Sequence, residues 1–66
     1  MNVHLNGKSR QFDDVKTLSD LINKNIKNNS FIVAEMNGEV VNRQQWQNVF
    51  IKDGDKVELV SLVAGG

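Results

Sequence analysis

The sequence predicts an α+β domain in which a mixed sheet of four to five strands carries one main helix across one face. Apolar and polar residues alternate in Met1–Leu5, which is the period of a strand with one buried face, and Lys56–Val63 is the strongest strand pattern in the chain. Between them, Leu18, Leu21 and Ile22 recur at the spacing of one helix face. The element order is strand, strand, helix, strand, short strand, strand, so the first and last strands can pair in parallel at the centre of the sheet.

The first two strands are predicted to form a hairpin at Asn6-Gly7, a dipeptide that favours tight turns. A strict two-residue turn would place both Lys8 and Arg10 on the apolar face of the sheet. A slightly longer loop instead sets Phe12 opposite Val3 and leaves the arginine head group at the end of the sheet, in water. We therefore expect the longer loop.

The helix is predicted to begin after Thr17, whose hydroxyl can accept from the free amides of the first turn. Asp20 then occupies the third helical position, where a negative charge is favourable near the helix N-terminus. The apolar stripe continues to Ile26, which gives a helix of about ten residues.

The second half of the chain contains two more strands before the last one. Phe31–Met36 is rich in β-forming residues, and Asn37-Gly38 is a hairpin signal that leads into the short strand Glu39–Val41. Trp46 lies in the polar connection that follows, where we expect its ring to cover the edge of the sheet. Asp53-Gly54-Asp55 forms the turn before the last strand.

This order of elements is the β-grasp, or ubiquitin-like, arrangement. The predicted core consists of the apolar positions that helical and strand periodicity both send inward: Val3, Leu5, Leu18, Leu21, Ile22, Ile26, Val57 and Leu59. We expect residues 1–62 to form the domain and residues 63–66 to form a flexible tail.

Composition excludes several classes of function. A chain of 66 residues makes one small domain with little room for an enclosed active site. Eight basic and eight acidic side chains cancel, which argues against a nucleic-acid partner, and no segment is long and apolar enough to span a membrane. The chain has no cysteine, and nothing in it argues for export, so we expect a cytoplasmic protein.

The polar candidates for chemistry are few. His4 is the only histidine, so no Ser/His/Asp triad, Cys/His pair or zinc site can be assembled around it, and we expect an exposed strand residue. Asp53 and Asp55 offer too few oxygen ligands for calcium and are interpreted as turn residues. We therefore predict no catalytic residue and no tightly bound metal or cofactor.

The chain closes on Gly65-Gly66, a pair that ordinary glycine usage would produce in roughly 0.5% of chains. Because glycine has no β-carbon, such a tail can thread a narrow channel and present its carboxylate to the active site of another protein. The alternative is a frayed tail of small residues, Val63-Ala64-Gly65-Gly66, without a role.

The last strand also predicts a docking surface. If Val57 and Leu59 face the helix, Glu58, Val60 and Leu62 lie on the opposite face, beside the tail. An exposed apolar pair next to an acidic residue is a candidate partner-docking patch. The alternative is that these residues are only β-formers on a partly covered face.

Several segments together resemble the ThiS family, the sulfur carriers of thiamine biosynthesis, and the resemblance spans the whole chain. Arg-x-x-Trp, Asp-Gly-Asp and a terminal Gly-Gly in this order make a fairly specific set. Asn42 departs from the family, in which a proline often precedes the arginine. The segments that carry the resemblance are Met36–Val41, Arg43–Trp46, Asp53–Asp55, Val57–Val60 and Val63–Gly66.

The resemblance implies a carrier that is a co-substrate of other enzymes and not an enzyme itself. An activating enzyme of the ThiF type would use ATP and Mg to adenylate the Gly66 carboxylate. A persulfide, derived indirectly from cysteine by a desulfurase, would then replace AMP and leave a C-terminal thiocarboxylate, a 1-thioglycine. Thiazole synthase would accept that sulfur.

Three other functions remain open at this point. The related small subunit of molybdopterin synthase also carries sulfur on a Gly-Gly end, although its relatives are usually longer. A ubiquitin-like protein modifier would form isopeptide bonds with lysines. A passive interaction module would have an inert tail.

Overall fold

The computed structural model describes residues 1–28 and 30–62, and within them it contains five strands, one α-helix and one 3₁₀ helix. The elements are β1 (Asn2–Leu5), β2 (Lys8–Gln11), α1 (Leu18–Asn25), β3 (Ile32–Met36), β4 (Glu39–Val41), the 3₁₀ helix (Arg43–Asn48) and β5 (Lys56–Ser61). The predicted α+β class and element order are confirmed. The predicted tail, residues 63–66, lies outside the described residues.

The five strands form one mixed sheet in the order β2-β1-β5-β3-β4. The first and last strands pair in parallel at its centre, as predicted, with His4 opposite Lys56 and Leu5 opposite Val57. The other neighbours are antiparallel. The strand that leads to residue 62 is therefore the middle strand of the sheet.

The predicted longer loop between β1 and β2 is wrong. Leu5 pairs with Lys8 and Val3 pairs with Arg10, so Asn6-Gly7 is a strict two-residue turn. Both turn residues have positive φ, 51° and 83°, which suits the twist of a two-residue hairpin and which asparagine and glycine tolerate best.

The charge on the apolar face is tolerated because β2 is an edge strand and its residues are all exposed. The Arg10 guanidinium lies 5.4 Å from the centre of the Phe12 ring, and its Nη1 donates to Asn25 Oδ1 at 3.1 Å. The arginine stem thus extends along the rim of the core while its head group stays in water.

Helix α1 has the predicted N-terminus. Thr17 Oγ1 accepts from the backbone N–H of Asp20 at 3.1 Å, and the Asp20 carboxylate accepts in return from the N–H of Thr17, which completes a capping box. The helix is shorter than predicted, since it ends at Asn25 and the next residue, Ile26, has extended backbone angles.

The core lies between the sheet and α1. The predicted core positions Val3, Leu5, Leu18, Leu21, Ile22 and Val57 are all buried, and Leu59 is half-buried against them. Ile26 does not belong to this cluster, because the chain leaves the helix before it. Phe12, Val15, Ala34, Trp46 and Ile51 complete the buried set.

The turn before β5 is tied to the rest of the sheet by its aspartates. Asp53 Oδ1 accepts from the backbone N–H of Asn2 at 2.6 Å. Asp55 is buried and accepts from Asn37 Nδ2 at 3.1 Å and from the N–H of Lys52 at 2.7 Å. Both residues thus have the structural role predicted for them.

No helix within the described part of the chain has the length and apolar character that crossing a bilayer would require.

We expect Leu21→Ala to lower the free energy of unfolding by about 2 to 5 kcal/mol, because it opens a cavity in the fully buried centre of the core. Urea denaturation measures the loss. Ile26→Ala is the matched control at a half-buried position, and its loss should be clearly smaller. Equal losses at the two positions would contradict the assignment of the helix face.

The capping box also predicts how stability depends on pH. The backbone N–H groups of Lys16 and Thr17 donate to the Asp20 carboxylate and lower its pKa below the ordinary value of 3.8. A lowered folded-state pKa adds stability that is fully present above the unfolded value and is lost as the pH falls through the folded one. Asp20→Asn should therefore flatten the acid limb of a plot of stability against pH and leave its slope near neutrality unchanged.

Candidate functional site

Helix α1 covers one face of the sheet, and we call the other face the open face. Strand β5 is the middle strand of the sheet and has side chains on both faces. The last described residue, Leu62, still donates its N–H to the carbonyl of Phe31 at 2.8 Å, so the alignment of β5 with the chain before β3 continues to that point. The predicted reactive residue Gly66 and its neighbours Val63, Ala64 and Gly65 lie beyond the described residues.

The predicted alternation along β5 is present. Val57 is fully buried and Leu59 is half-buried toward the helix. Glu58, Val60 and Leu62 are exposed, with 50% of Val60 and 66% of Leu62 accessible to solvent.

Strand β3 and the residue just before it add two apolar side chains to this face. Val33 lies directly opposite Val60, and the same register puts Phe31, which is 57% exposed, opposite Leu62. Residues that face each other across an antiparallel pair project from the same side of the sheet. Phe31, Val33, Val60 and Leu62 therefore form one contiguous surface, which we call the open apolar patch.

The sequence pattern predicts only the β5 half of this patch. It places Phe31 and Val33 in a strand, but the face on which they lie depends on the register between β3 and β5. The sequence carries no signal for that register, which the structure shows in pairs such as Val33 with Val60.

An acidic rung borders the patch. Glu35 and Glu58 face each other on adjacent strands, two residues along each strand from Val33 and Val60 on the side away from Leu62. The two carboxylates give the open face an acidic border beside the patch.

The other sequence candidates are not part of this surface. His4 is exposed on β1, as predicted, opposite Ser9 and Lys56. Trp46 is buried more deeply than predicted, with its indole N–H donating to the carbonyl of Val41 at 3.0 Å and the Arg43 guanidinium 5.5 Å from its ring. Its ring is therefore core and not a docking residue.

Among the described residues, no group of three or more His, Cys, Asp or Glu side chains is placed to hold a metal ion. Two open depressions of about 470 Å³ each lie beside α1 and beside β4, and neither is lined by residues of the open apolar patch. The candidate site is therefore an exposed sheet face and not a pocket.

A mixed five-stranded sheet that wraps around one helix, with its first and last strands parallel at the centre, is a ubiquitin-like β-grasp domain. The chain belongs to the ThiS family, whose model matches residues 3–66. The fold of a solved ThiS protein from Geobacter metallireducens agrees, with a TM-score of 0.85, 30% identity and complete coverage of both chains.

Two curated relatives differ in how much of their length corresponds to this chain. The sulfur carrier protein ThiS of Bacillus subtilis is 31% identical over 65 residues, which cover 97% of this chain and 98% of the relative. A thiazole synthase of Paramagnetospirillum magneticum is 30% identical over 66 residues, and there the match covers all of this chain but only 20% of the relative.

Proposed function

We propose that this protein is a sulfur carrier for thiazole formation in thiamine biosynthesis and that its reacting group is the carboxylate of Gly66. The observation that carries the proposal is the match to the ThiS family model, which extends through Gly66. The position of β5 supports it, because the exposed side chains of this central strand continue to Leu62, four residues before Gly66.

The first chemical step overcomes the low reactivity of a carboxylate. An α-carboxyl group has an ordinary pKa of about 3.3 to 3.7 and is an anion at neutral pH, so it repels nucleophiles. In the proposed step, an oxygen of the Gly66 carboxylate attacks the α-phosphorus of ATP on a ThiF-type activating enzyme and releases pyrophosphate. The acyl-adenylate that forms has AMP as its leaving group.

The second step places sulfur on the carrier. The terminal sulfur of a persulfide, supplied indirectly by a cysteine desulfurase, attacks the Gly66 carbonyl and displaces AMP. A thiol then attacks the resulting S–S bond, forming a disulfide and releasing the C-terminal thiocarboxylate. The sulfur is held on the main chain, which is consistent with the absence of cysteine from this sequence.

The receiving partner is proposed to be a thiazole synthase. In the Paramagnetospirillum relative of that name, a segment similar to this whole chain makes up one fifth of the protein. The same protein therefore contains both a carrier-like segment and the region named for the synthase, which supports a direct association between the two activities. In this scheme the chain is a co-substrate and holds no cofactor of its own.

Partner docking is assigned to Glu58, Val60 and Leu62, extended by the adjacent Phe31 and Val33. Four apolar side chains on adjacent strands leave a patch that water solvates poorly, and the acidic rung beside it favours a basic partner surface. A four-residue tail, when extended, spans roughly 13 Å, which is enough to reach an active site while this patch contacts the outside of the partner.

We expect Val60→Glu to leave the thermal midpoint nearly unchanged and to weaken capture by the activating enzyme, because the side chain is half exposed in the centre of the patch. Calorimetry of the binding step and thermal unfolding measure the two effects. Phe50→Glu is the matched control, since Phe50 is 66% exposed and pairs with Thr17 at the start of α1, away from the open face. Unfolding of the Val60→Glu protein would identify this face as core, and unchanged binding would remove the docking assignment.

We expect deletion of Gly66 to abolish adenylation without altering the fold, since it moves the carboxylate by a whole residue and correct placement of reacting groups is worth several kcal/mol. Gly65→Val should be nearly as damaging, because a branched side chain does not fit a channel shaped for glycine. The exposed position Gln44→Ala, on the 3₁₀ helix, is the control.

The measurement is the intact mass after incubation with ATP, Mg, the activating enzyme and a sulfur source. The parent chain should gain the mass of one oxygen replaced by sulfur. A parent chain that stays a plain carboxylate with its proper partners would refute the carrier function, as would a Gly66 deletion that gains sulfur equally well. Formation of isopeptide adducts on lysines would instead identify a protein modifier.

A further inference from the structure

Strand β5 is supported unequally on its two sides. On the β3 side the pairing covers Val57 to Ser61 and is continued by the bond from Leu62 to Phe31. On the β1 side, within the described residues, the paired positions are only His4 with Lys56 and Leu5 with Val57. Strand β1 ends there because the chain turns back at Asn6-Gly7.

The side chain of Asn6 continues the ladder where its backbone leaves it. The N–H of Asn6 donates to the carbonyl of Val57 at 2.9 Å, as in a regular parallel pair. One step further, the acceptor for the N–H of Leu59 would be the backbone carbonyl of residue 6. The left-handed turn diverts that carbonyl, and Asn6 Oδ1 accepts from the N–H of Leu59 instead, at 2.8 Å.

This bond acts on the half of β5 that leads to the tail. Leu59 lies between Glu58 and Val60 of the docking surface and four positions before Val63. Within the described residues, this is the last bond along β5 that connects it to the β1–β2 hairpin. A small lateral shift of β5 at this point would move the described residues that follow it, Val60, Ser61 and Leu62.

We propose that Asn6 is a positioning residue for the carrier reaction: through its bond to the Leu59 N–H it fixes where the tail leaves the sheet relative to the docking surface. The inference rests on the proposed carrier function and adds to it a residue that touches neither the partner nor the reacting carboxylate. Asparagine suits the position twice, since it tolerates the left-handed backbone and supplies an acceptor.

Asn37 provides a matched control at the other hairpin. It has nearly the same backbone angle, with φ of 54°, and its Oδ1 accepts from the N–H of Lys56 at 3.0 Å. It therefore makes the same kind of bond to the same strand, but at the end remote from the tail. Loss of either asparagine should destabilise the domain, whereas only Asn6 should affect the placement of the tail.

The test compares Asn6→Gly, Asn6→Asp and Asn37→Gly as substrates of the activating enzyme. Glycine keeps the left-handed turn but removes the acceptor, and aspartate keeps both. For Asn6→Gly we expect turnover at saturating carrier to fall about tenfold or more while KM changes by less than roughly twofold, because misplacement impairs chemistry and not docking. Asn6→Asp should restore turnover, and Asn37→Gly should keep it while losing thermal stability.

Amide hydrogen exchange gives a second readout that does not need the partner. The Leu59 amide should exchange faster in Asn6→Gly than in the parent and in Asn37→Gly. Parental turnover in Asn6→Gly, an equal fall in Asn37→Gly, or unchanged exchange at Leu59 would each overturn the positioning role. A parent chain that the activating enzyme does not adenylate would overturn the carrier function itself, and the positioning role with it.

Discussion

The parallel pairing of β1 with β5 is the constraint on which the rest of the structure depends. It joins residues near the two ends of the chain, through His4 N–H to the carbonyl of Asp55 and Asn6 N–H to the carbonyl of Val57, both at 2.9 Å. Parallel strands cannot be joined by a hairpin, so the intervening chain must cross over one face of the sheet. That crossover contains α1, which covers the helix-facing side chains of both central strands. The last strand is thereby held in the middle of the sheet and not at its edge.

A central last strand gives the carrier two properties that are otherwise hard to combine in 66 residues. The strand is fixed by neighbours on both sides, so its exposed side chains have defined positions. One helix is enough to cover one face only, and the other face stays open beside the tail. A domain of this size buries a smaller share of its surface than a larger one does, and its uncovered face is available for contact with partners.

Sequence periodicity predicted the elements and most of the helix-facing core, because regular strands and helices repeat at fixed spacing. It failed where tertiary context decides. Placing Arg10 on the apolar face looked unfavourable, yet an edge strand lets the side chain reach Asn25 and the Phe12 ring while its charge stays in water. Val15 and Ile51 lie in irregular segments, which have no period to identify a buried side chain. The β3 half of the open apolar patch could not be predicted from periodicity, because it depends on the register between β3 and β5. No single segment of the sequence determines that register.

The two-residue period of β5 gives the strand one packed face and one exposed face. Its side chains at 57 and 59 face the helix, where loss of packing lowers stability. Those at 58, 60 and 62 face the open side, where they are exposed and contribute little to the core. The helix-facing side chains supply the packing that holds the strand in place, so the open-side positions can be apolar or acidic without disrupting the core.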